Sequence, residues 1–250
     1  MTIPKIFMQT LFGFDSVPPV WTTGFERVGV VMPSYTHVLL HGREYDAFVS
    51  AHFPDFIETF RAYPHEIQRC DAVRYMWLYV HGGVYMDLDM ELTKDIAPLI
   101  SGCDIALAQE IQGTWYTHSN CLMASRPRHP FWLDCISLMK RRAKNWYPFL
   151  GMRVTMTTGP GIVSSVWKSY RDKVCTIPRN LVNSCALCHS CVAGPDAFVR
   201  PLPGGSWMHG GSMAVWCARN RVFALAAAVV VAYIMLNWRV TEVIRAHARS

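Results

Sequence analysis

Residues 79–91 read Y-V-H-G-G-V-Y-M-D-L-D-M-E, and the fold prediction begins from them. The apolar run breaks at Gly82 and Gly83 and resumes as a predicted strand that carries Asp87 and Asp89 one residue apart. In an extended strand, residues two apart face the same side, so this spacing predicts two carboxylates at one place. Like charges held that close repel unless a cation lies between them, and a hard divalent cation prefers oxygen ligands. The stretch therefore predicts a metal site at the end of a strand.

A helix is predicted directly before this strand, over residues 66–81. The glycine pair ends it in the usual way. Its apolar stripe comprises Ile67, Val73, Met76, Trp77 and Val80. Asp71 and Arg74 are three residues apart and share a face, so Arg74 can donate to sugar or phosphate while Asp71 accepts from sugar hydroxyls. The alternative is an exposed ion pair that contributes little stability.

The rest of the first half alternates between strand and helix patterns. Residues 3–9 predict a first strand, residues 30–41 contain a second, and residues 44–60 have helical spacing on both sides of Pro54. Ligands of an α/β sheet collect beyond the carboxyl ends of its strands. An acidic pair at such an end can hold Mg²⁺ or Mn²⁺ against a diphosphate.

Composition limits the class of protein. A chain of 250 residues can form one α/β domain with an appendage, or two small domains. The apolar fraction is 51% and the charged fraction 17%, which excludes a disordered chain and indicates contact with a membrane. The net charge of +6 favours anionic partners such as sugar nucleotides or lipid headgroups. Since no block of Lys and Arg is typical of nucleic-acid binding, no nucleic-acid partner is expected.

A membrane segment is predicted near the C-terminus. Residues 222–238 carry no charge and lie between Arg221 and Arg239, with Trp238 as an interfacial anchor. A single membrane helix is therefore predicted in preference to a buried core helix. Positive charge on both sides leaves its orientation open. The opening residues lack a basic region followed by an apolar run, so no signal peptide is expected.

The nine cysteines leave the redox compartment open, because an odd number in a chain of this length is not typical of a disulfide framework. Cys185, Cys188 and Cys191 have spacing typical of a metal site but lack a second paired half. A structural zinc, a local disulfide and buried thiols all remain alternatives for this cluster.

The composite R-x-D-x-x-R-Y-x-x-L-Y-x-x-G-G-x-Y-x-D-x-D over residues 69–89 resembles glycosyltransferase family 32. Members of that family include initiating α-1,6-mannosyltransferases and the mannosyltransferases of inositol phosphorylceramide. The resemblance covers most of residues 3–215, and residues 63–75 are most similar to the inositol phosphorylceramide branch. In the first strand, Met8 and Leu11 replace the family's usual His and Trp.

The resemblance implies a GT-A fold with a mostly parallel central sheet in residues 1–218. The uncharged run at 222–238 adds a membrane helix and basic tail in residues 219–250. It implies retaining, metal-dependent transfer of a hexose, mannose from GDP-mannose, to a lipid acceptor like inositol phosphorylceramide or to a glycan. It also implies a Golgi-like endomembrane location, with the side of the membrane open. The alternatives are a membrane-tethered sugar-nucleotide-binding protein without turnover, and a transferase that uses a UDP-sugar.

The resemblance also implies roles for particular residues. Asp71, Arg74, Asp87 and Asp89 would be catalytic, and Asp87, Asp89 and His209 would bind Mn²⁺ or Mg²⁺, although Met208 is an extra residue before His209. The implied donor-binding residues are Gln9, Thr10, Asp71, Arg74, Gly82, Gly83, Tyr85, Asp87 and Asn120. For Asn120 the alternative is a turn residue. No covalent nucleophile is predicted, so the leaving diphosphate would itself help to deprotonate the acceptor in a front-face transfer.

Overall fold

The computed structural model describes residues 2–110, 116–147, 150–182 and 194–204. Six strands form a central sheet: β1 (Ile6–Leu11), β2 (Thr36–His41), β3 (Gly83–Met86), β5 (Ile105–Gln109), β6 (His118–Ser125) and β7 (Cys175–Ile177). Their spatial order is β2-β1-β3-β6-β5-β7, and only β6 runs antiparallel to its neighbours. The predicted mostly parallel α/β sheet is confirmed. Two further strands, β4 (Met90–Leu92) and β8 (Val199–Pro201), form a small antiparallel sheet.

Helices cover both faces of the central sheet. They are α1 (Pro19–Val31), α2 (Gly42–His52), α3 (Ile57–Arg61), α4 (Glu66–Val80), α5 (Ala97–Ile100), α6 (Pro130–Arg142), α7 (Leu150–Thr157) and α8 (Pro160–Trp167), with a short 3₁₀ helix at Pro54–Phe56. The predicted interruption at Pro54 is confirmed, since α2 ends two residues before it.

Two apolar cores lie on the two sides of the sheet, and the alternation along β3 divides its side chains between them. Tyr85 packs into the core that includes α2, α4, α6 and α8. Val84 and Met86 pack into the opposite core with residues of α1 and α5. The side chain of the next residue after Met86 therefore returns to the α4 side.

The glycine pair makes the turn from α4 into β3. Gly82 and Gly83 have φ values of 67° and 94°, which glycine adopts readily and other residues rarely do. A Cβ on Gly83 would lie 2.5 Å from the carbonyl oxygen of Ile6, and one on Gly82 would lie 2.7 Å from that of Ser125. Glycine is thus required at both positions for β3 to enter the sheet.

The second strand lies within the predicted range 30–41, at Thr36–His41, and residues 30–31 belong to α1. One local prediction differs from the structure. The predicted amphipathic stripe of α4 is wrong: Ile67 and Trp77 are half-buried, whereas the polar Asp71 and Arg74 are buried. The buried Asp71 and Arg74 of α4 contact other polar groups inside the protein.

A disulfide between Cys103 and Cys175 joins the segment before β5 to the start of β7. Within the described ranges, no helix is long and apolar enough to cross a membrane. The predicted membrane helix at 222–238 and the cluster at 185–191 lie outside the described residues, as does His209.

Candidate active site

Asp87 directly follows β3, at the carboxyl end of the parallel strands. The main-chain N–H of Asp87 donates to the carbonyl oxygen of Cys121 on β6 at 2.8 Å. The Tyr85 hydroxyl donates to Asp87 Oδ1 at 2.6 Å, and Arg74 Nη1 donates to the same oxygen at 2.7 Å. The Asp87 side chain is nevertheless 28% exposed. This carboxylate is therefore fixed from the core while remaining open to a ligand.

Arg74 is buried on α4 and lies between two carboxylates. Its Nη2 lies 3.2 Å from Asp71 Oδ1, and its Nη1 also donates to the carbonyl oxygen of Asn120 at 3.1 Å. Its guanidinium carbon lies 4.6 Å from the centre of the Tyr85 ring. The alternative of an exposed Asp71–Arg74 pair is wrong, because both side chains are at most 5% exposed.

Asp71 accepts hydrogen bonds from two other parts of the chain. Asn120 Nδ2 donates to Asp71 Oδ1 at 2.9 Å, and Thr158 Oγ1 donates to Asp71 Oδ2 at 3.0 Å. The Tyr75 hydroxyl donates to the Thr158 carbonyl oxygen at 2.8 Å. The alternative of a turn residue at Asn120 is wrong, since Asn120 lies in β6 and its side chain is buried. We call Asp71, Arg74, Asp87, Tyr85 and Asn120 the buried polar network.

Burial and charge act in opposite directions on the ionisable groups of this network. Burial raises the pKa of the Asp71 carboxyl to about 6, although the Arg74 charge opposes the shift. Burial also raises the pKa of Asp87, again against the effect of Arg74. Burial would lower the pKa of Arg74, but the negative charges of Asp87 and its neighbours hold that pKa well above its ordinary value. Arg74 therefore stays cationic and compensates both acids.

Asp89 lies in a turn, so the prediction that both acids share one extended strand is wrong. β3 ends at Met86, and the N–H of Met90 donates to the Asp87 carbonyl oxygen at 3.2 Å. The chain turns here because β4 leaves the central sheet to pair with β8. The two residues, two positions apart, whose side chains lie on one face are instead Tyr85 and Asp87.

The side chain of Asp89 packs against the main chain of Gly204. A Cβ on Gly204 would lie 1.8 Å from Asp89 Oδ2, so only glycine leaves this carboxylate its present position. The N–H of Leu202 donates to the Asp89 carbonyl oxygen at 2.7 Å. Trp21 Nε1 donates to the Pro203 carbonyl oxygen at 2.6 Å and holds the same segment.

The predicted donor-binding residues of β1 lie beside the turn at residues 87–89, which we call the acidic turn, and beside the end of β3. Gln9 Nε2 donates to the Asp87 carbonyl oxygen at 3.4 Å, and Thr10 Oγ1 lies 3.1 Å from the Tyr85 hydroxyl oxygen. Both side chains are buried. The replacements Met8 and Leu11 are also buried and pack in apolar cores. Direct contact of Gln9, Thr10 or Tyr85 with a donor stays a prediction.

Gly82 and Gly83 are not brought together with the acids. They lie at the amino end of β3, and Asp87 follows its carboxyl end. Their tight neighbours are Ile6, Ser125 and Pro127 rather than an open site. The structure thus gives them a role in the α4–β3 turn and does not support the predicted contact with the donor sugar.

Several residues that the structure joins to the site had no role predicted for them. Thr158 belongs to the T-T-G-P-G segment at 157–161, which resembles a family turn, but its hydrogen bond to Asp71 was not predicted. The contacts of Trp21 and Gly204 were not predicted either, because their partners lie 182 residues away for Trp21 and more than 100 residues away for Gly204.

The acidic turn carries the carboxylates of Asp87 and Asp89. In the part of the chain that the structure describes, the two hydrogen-bond donors to the Asp87 carboxylate reach Oδ1, which leaves Oδ2 as the oxygen that could bind a metal. Among the described residues, no group of three His, Cys, Asp or Glu side chains could hold a metal ion. A divalent cation bound through one or two carboxylates and the phosphates of a substrate fits this donor set.

The fold and the sequence are similar to those of known glycosyltransferases. The ligand-free glycosyltransferase domain from the YGT toxin is similar in structure, with a TM-score of 0.54, 8% identity, and coverage of 70% of this chain and 80% of that one. The family described as "Glycosyltransferase sugar-binding region containing DXD motif" matches residues 18–106.

Two relatives from yeasts carry the similarity further along the chain. Mannosyl phosphorylinositol ceramide synthase CSH1 of Saccharomyces cerevisiae is 37% identical over 170 residues, which cover 68% of this chain and 43% of the relative. Inositol phosphoceramide mannosyltransferase 3 of Schizosaccharomyces pombe is 31% identical over 212 residues, which cover 82% and 56%. The chain thus spans about half the length of these relatives.

The fold is therefore of the GT-A type found in glycosyltransferases. Residues 18–106 match the sugar-binding region that contains the D-x-D motif, which Asp87 and Asp89 represent in this chain. The predicted similarity to the inositol phosphorylceramide mannosyltransferases is confirmed.

Proposed function

We propose that this protein is a metal-dependent glycosyltransferase that moves mannose from GDP-mannose to a lipid acceptor, with retention at the anomeric carbon. One observation carries the proposal: Asp87, fixed by Arg74 and Tyr85, meets a turn bearing Asp89 at the carboxyl end of β3. Ligands of α/β folds collect at this edge of the sheet.

The carboxylates of Asp87 and Asp89 would hold Mn²⁺ or Mg²⁺. The cation, when bound, would neutralise charge on the departing nucleoside diphosphate. The protein's own contribution is positional. Arg74 and Tyr85 keep Asp87 in one orientation, so the site is organised before the donor binds. His209, predicted as a third ligand, lies outside the described residues and stays a prediction.

Asp71 and Arg74 act on the donor through Asp87 in this proposal. Both are buried and paired with other groups, so their main effect is to fix the position and charge of the Asp87 carboxylate. Asn120 and Thr158 in turn hold Asp71. A preorganised acid of this kind needs little rearrangement when charge develops on the leaving group.

The donor and acceptor are proposed from the relatives. Those named above are called mannosyltransferases of inositol phosphoceramide or synthases of its mannosylated product. A lipid acceptor is also consistent with the apolar run at 222–238, which we propose as a membrane anchor. A glycan acceptor is the alternative.

The Cys103–Cys175 disulfide supports a location of this domain on the lumenal side of an endomembrane, because disulfides persist in oxidising compartments. Protease treatment of sealed vesicles tests this. Protection of the domain is expected, and digestion from outside would contradict the lumenal location.

The enzyme assay compares wild type with Asp89→Asn, using Mn²⁺ and a panel of GDP- and UDP-sugars. We expect metal-dependent release of GDP from GDP-mannose that falls at least about a hundredfold in the variant. Asp46→Asn is the control, since Asp46 forms an exposed ion pair with Arg61. Release from a UDP-sugar alone would correct the donor. Equal inactivity of folded wild type and variant would favour a binding protein without turnover.

A further inference from the structure

Residues 199–204 form a segment that we call the strap, and it lies over the acidic turn. β8 within the strap pairs antiparallel with β4, which begins one residue after Asp89. Beyond β8, the strap donates the Leu202 N–H to the Asp89 carbonyl oxygen and places Gly204 on the Asp89 carboxylate. The position of Asp89 thus depends on a segment more than 100 residues later in the chain.

The strap is attached through a buried acid that the D-x-D site does not use. Glu91 on β4 is 2% exposed. Arg200 on the strap lies directly opposite Glu91, and both its Nε and its Nη2 are 2.6 Å from Glu91 Oε2. Arg27 on α1 contacts the other oxygen, with its Nε 3.2 Å from Oε1. One buried carboxylate therefore ties the strap and α1 to β4.

The charge of Glu91 adds to the other attachments of the strap, which include the ladder to β4, the hydrogen bond from Trp21 to Pro203 and the burial of Val199. A pair of three-residue strands is at most marginally stable by itself. A buried carboxylate is costly unless cations compensate it, so Glu91 strongly favours the arrangement in which Arg200 is docked. Two nitrogens of the Arg200 guanidinium meet one oxygen of the residue directly opposite on β4, so this contact also favours the observed register of the strap.

We propose that Glu91 is the positioning residue that docks the strap on Asp89 through Arg200, and so sets the affinity of the acidic pair for a cation and diphosphate. The effect on ligand affinity rests on the proposed function, whereas the docking of the strap does not. Glu91 itself touches no reacting atom and acts through Arg200, Leu202 and Gly204.

The first test is hydrogen exchange of the strap in the purified full chain. Glu91→Gln and Arg200→Gln each remove a charge-assisted contact, so we expect exchange at the Leu202 amide to accelerate at least about tenfold. Arg27→Gln is the matched control, because it removes an arginine from the same carboxylate without touching the strap. Its Leu202 exchange is expected to stay within about threefold of wild type.

The second test is function in the same variants. Glu91→Gln and Arg200→Gln are expected to raise the Kd for Mn²⁺ and the KM for GDP-mannose about tenfold, while kcat changes less than about threefold. Glu91→Asp, which keeps the charge, should recover part of the loss. A change confined to global stability, with Kd and KM unaltered, would contradict the positioning role.

The two tests separate the possible failures. Unchanged Leu202 exchange in Arg200→Gln would overturn the docking proposal, even if Glu91→Gln does not fold, because the Arg200 side chain is 53% exposed and its loss leaves Glu91 paired with Arg27. Wild type that binds neither Mn²⁺ nor donor would instead overturn the proposed function, and the exchange result would still decide whether Glu91 docks the strap.

Discussion

Asp87 and Asp89 are one residue apart, yet different regions of the molecule hold them. Asp87 is bound by buried side chains of α4 and β3. Asp89, which like Asp87 is partly exposed, is held by the main chain of the strap. A change on the Asp87 side should therefore affect folding and function together, whereas a change on the Asp89 side should affect function with little loss of stability.

The largest effect is expected on the Asp87 side, from Arg74→Met. This substitution removes the cation beside the buried Asp71 and the partly exposed Asp87, and breaking a buried pair such as Asp71–Arg74 costs about 3–5 kcal/mol of unfolding free energy. Urea denaturation measures the loss. Arg61→Met is the matched control, because Arg61 pairs with Asp46 at the surface, where a pair is worth under about 1 kcal/mol. Equal stability of the two variants would show that the buried polar network does not support the fold.

A second change should lower stability without altering the site. The Cys103–Cys175 disulfide closes a loop with a sequence separation of 72 residues, and neither cysteine contacts the buried polar network. Replacing both by Ser is expected to cost about 2–4 kcal/mol of unfolding free energy, with kcat/KM unchanged in the folded protein. Denaturation and assay of the same sample check both parts. A large fall in kcat/KM would contradict the expectation that the disulfide stabilises the fold without affecting the site.

On the Asp89 side, Gly204→Ala should alter the site while leaving the unfolding free energy nearly unchanged. The new methyl group would meet Asp89 Oδ2, and the carboxylate can swing away without disturbing the core. We expect the Kd for Mn²⁺ to rise about tenfold, as for other groups that orient a metal ligand. The unfolding free energy should change by less than about 1 kcal/mol. Gly194→Ala is the control, since nothing lies within 4 Å of a Cβ there. Wild-type affinity in Gly204→Ala would contradict a strap that positions Asp89.

The smallest effect is a pH dependence from Asp71. Its pKa of about 6 means that acid neutralises it and removes one of the two charges that hold Arg74. We expect kcat/KM to fall severalfold as pH drops through about 6, and Asp71→Asn to have lower kcat/KM at pH 7.5 without that acidic limb. The same acidic limb in the variant would assign it to another group.

The effect of Asp71 on stability has the opposite sign. The unfolded carboxyl titrates near pH 3.9, so the folded state binds the additional proton between about pH 4 and 6. The contribution of Asp71 to unfolding free energy is therefore present below about pH 4 and is lost as pH rises through about 6. Denaturation of wild type and Asp71→Asn across this window measures it.

The sequence predicted the local features of the site and missed the distant ones. The helix, the glycine turn and the acids after β3 follow from periodicity and residue type within residues 66–89. The spacing of Asp71 and Arg74 indicated a shared face, but burial of that face depends on β6 and the turn before α8, which no local pattern reveals. This is why Arg74 was assigned to the donor, although its observed contacts are with Asp71, Asp87 and Asn120.

The strap could not be predicted for a related reason. No local pattern indicates that Glu91 and Arg200 pair, because their contact depends on antiparallel strands 109 residues apart in the chain. The acids at 87–89 looked like a continuation of β3, and only the diversion of β4 toward β8 turns them out of the strand. Pairing of β4 with a distant segment therefore decided the geometry of Asp89.

Calorimetric titration of GDP into the purified protein, with and without Mn²⁺, tests most directly whether Asp87 and Asp89 form one site. Wild type is expected to bind GDP only when Mn²⁺ is present, and both Asp87→Asn and Asp89→Asn should abolish that binding. GDP binding that needs no Mn²⁺ and survives both substitutions would contradict a shared cation and diphosphate site at the end of β3.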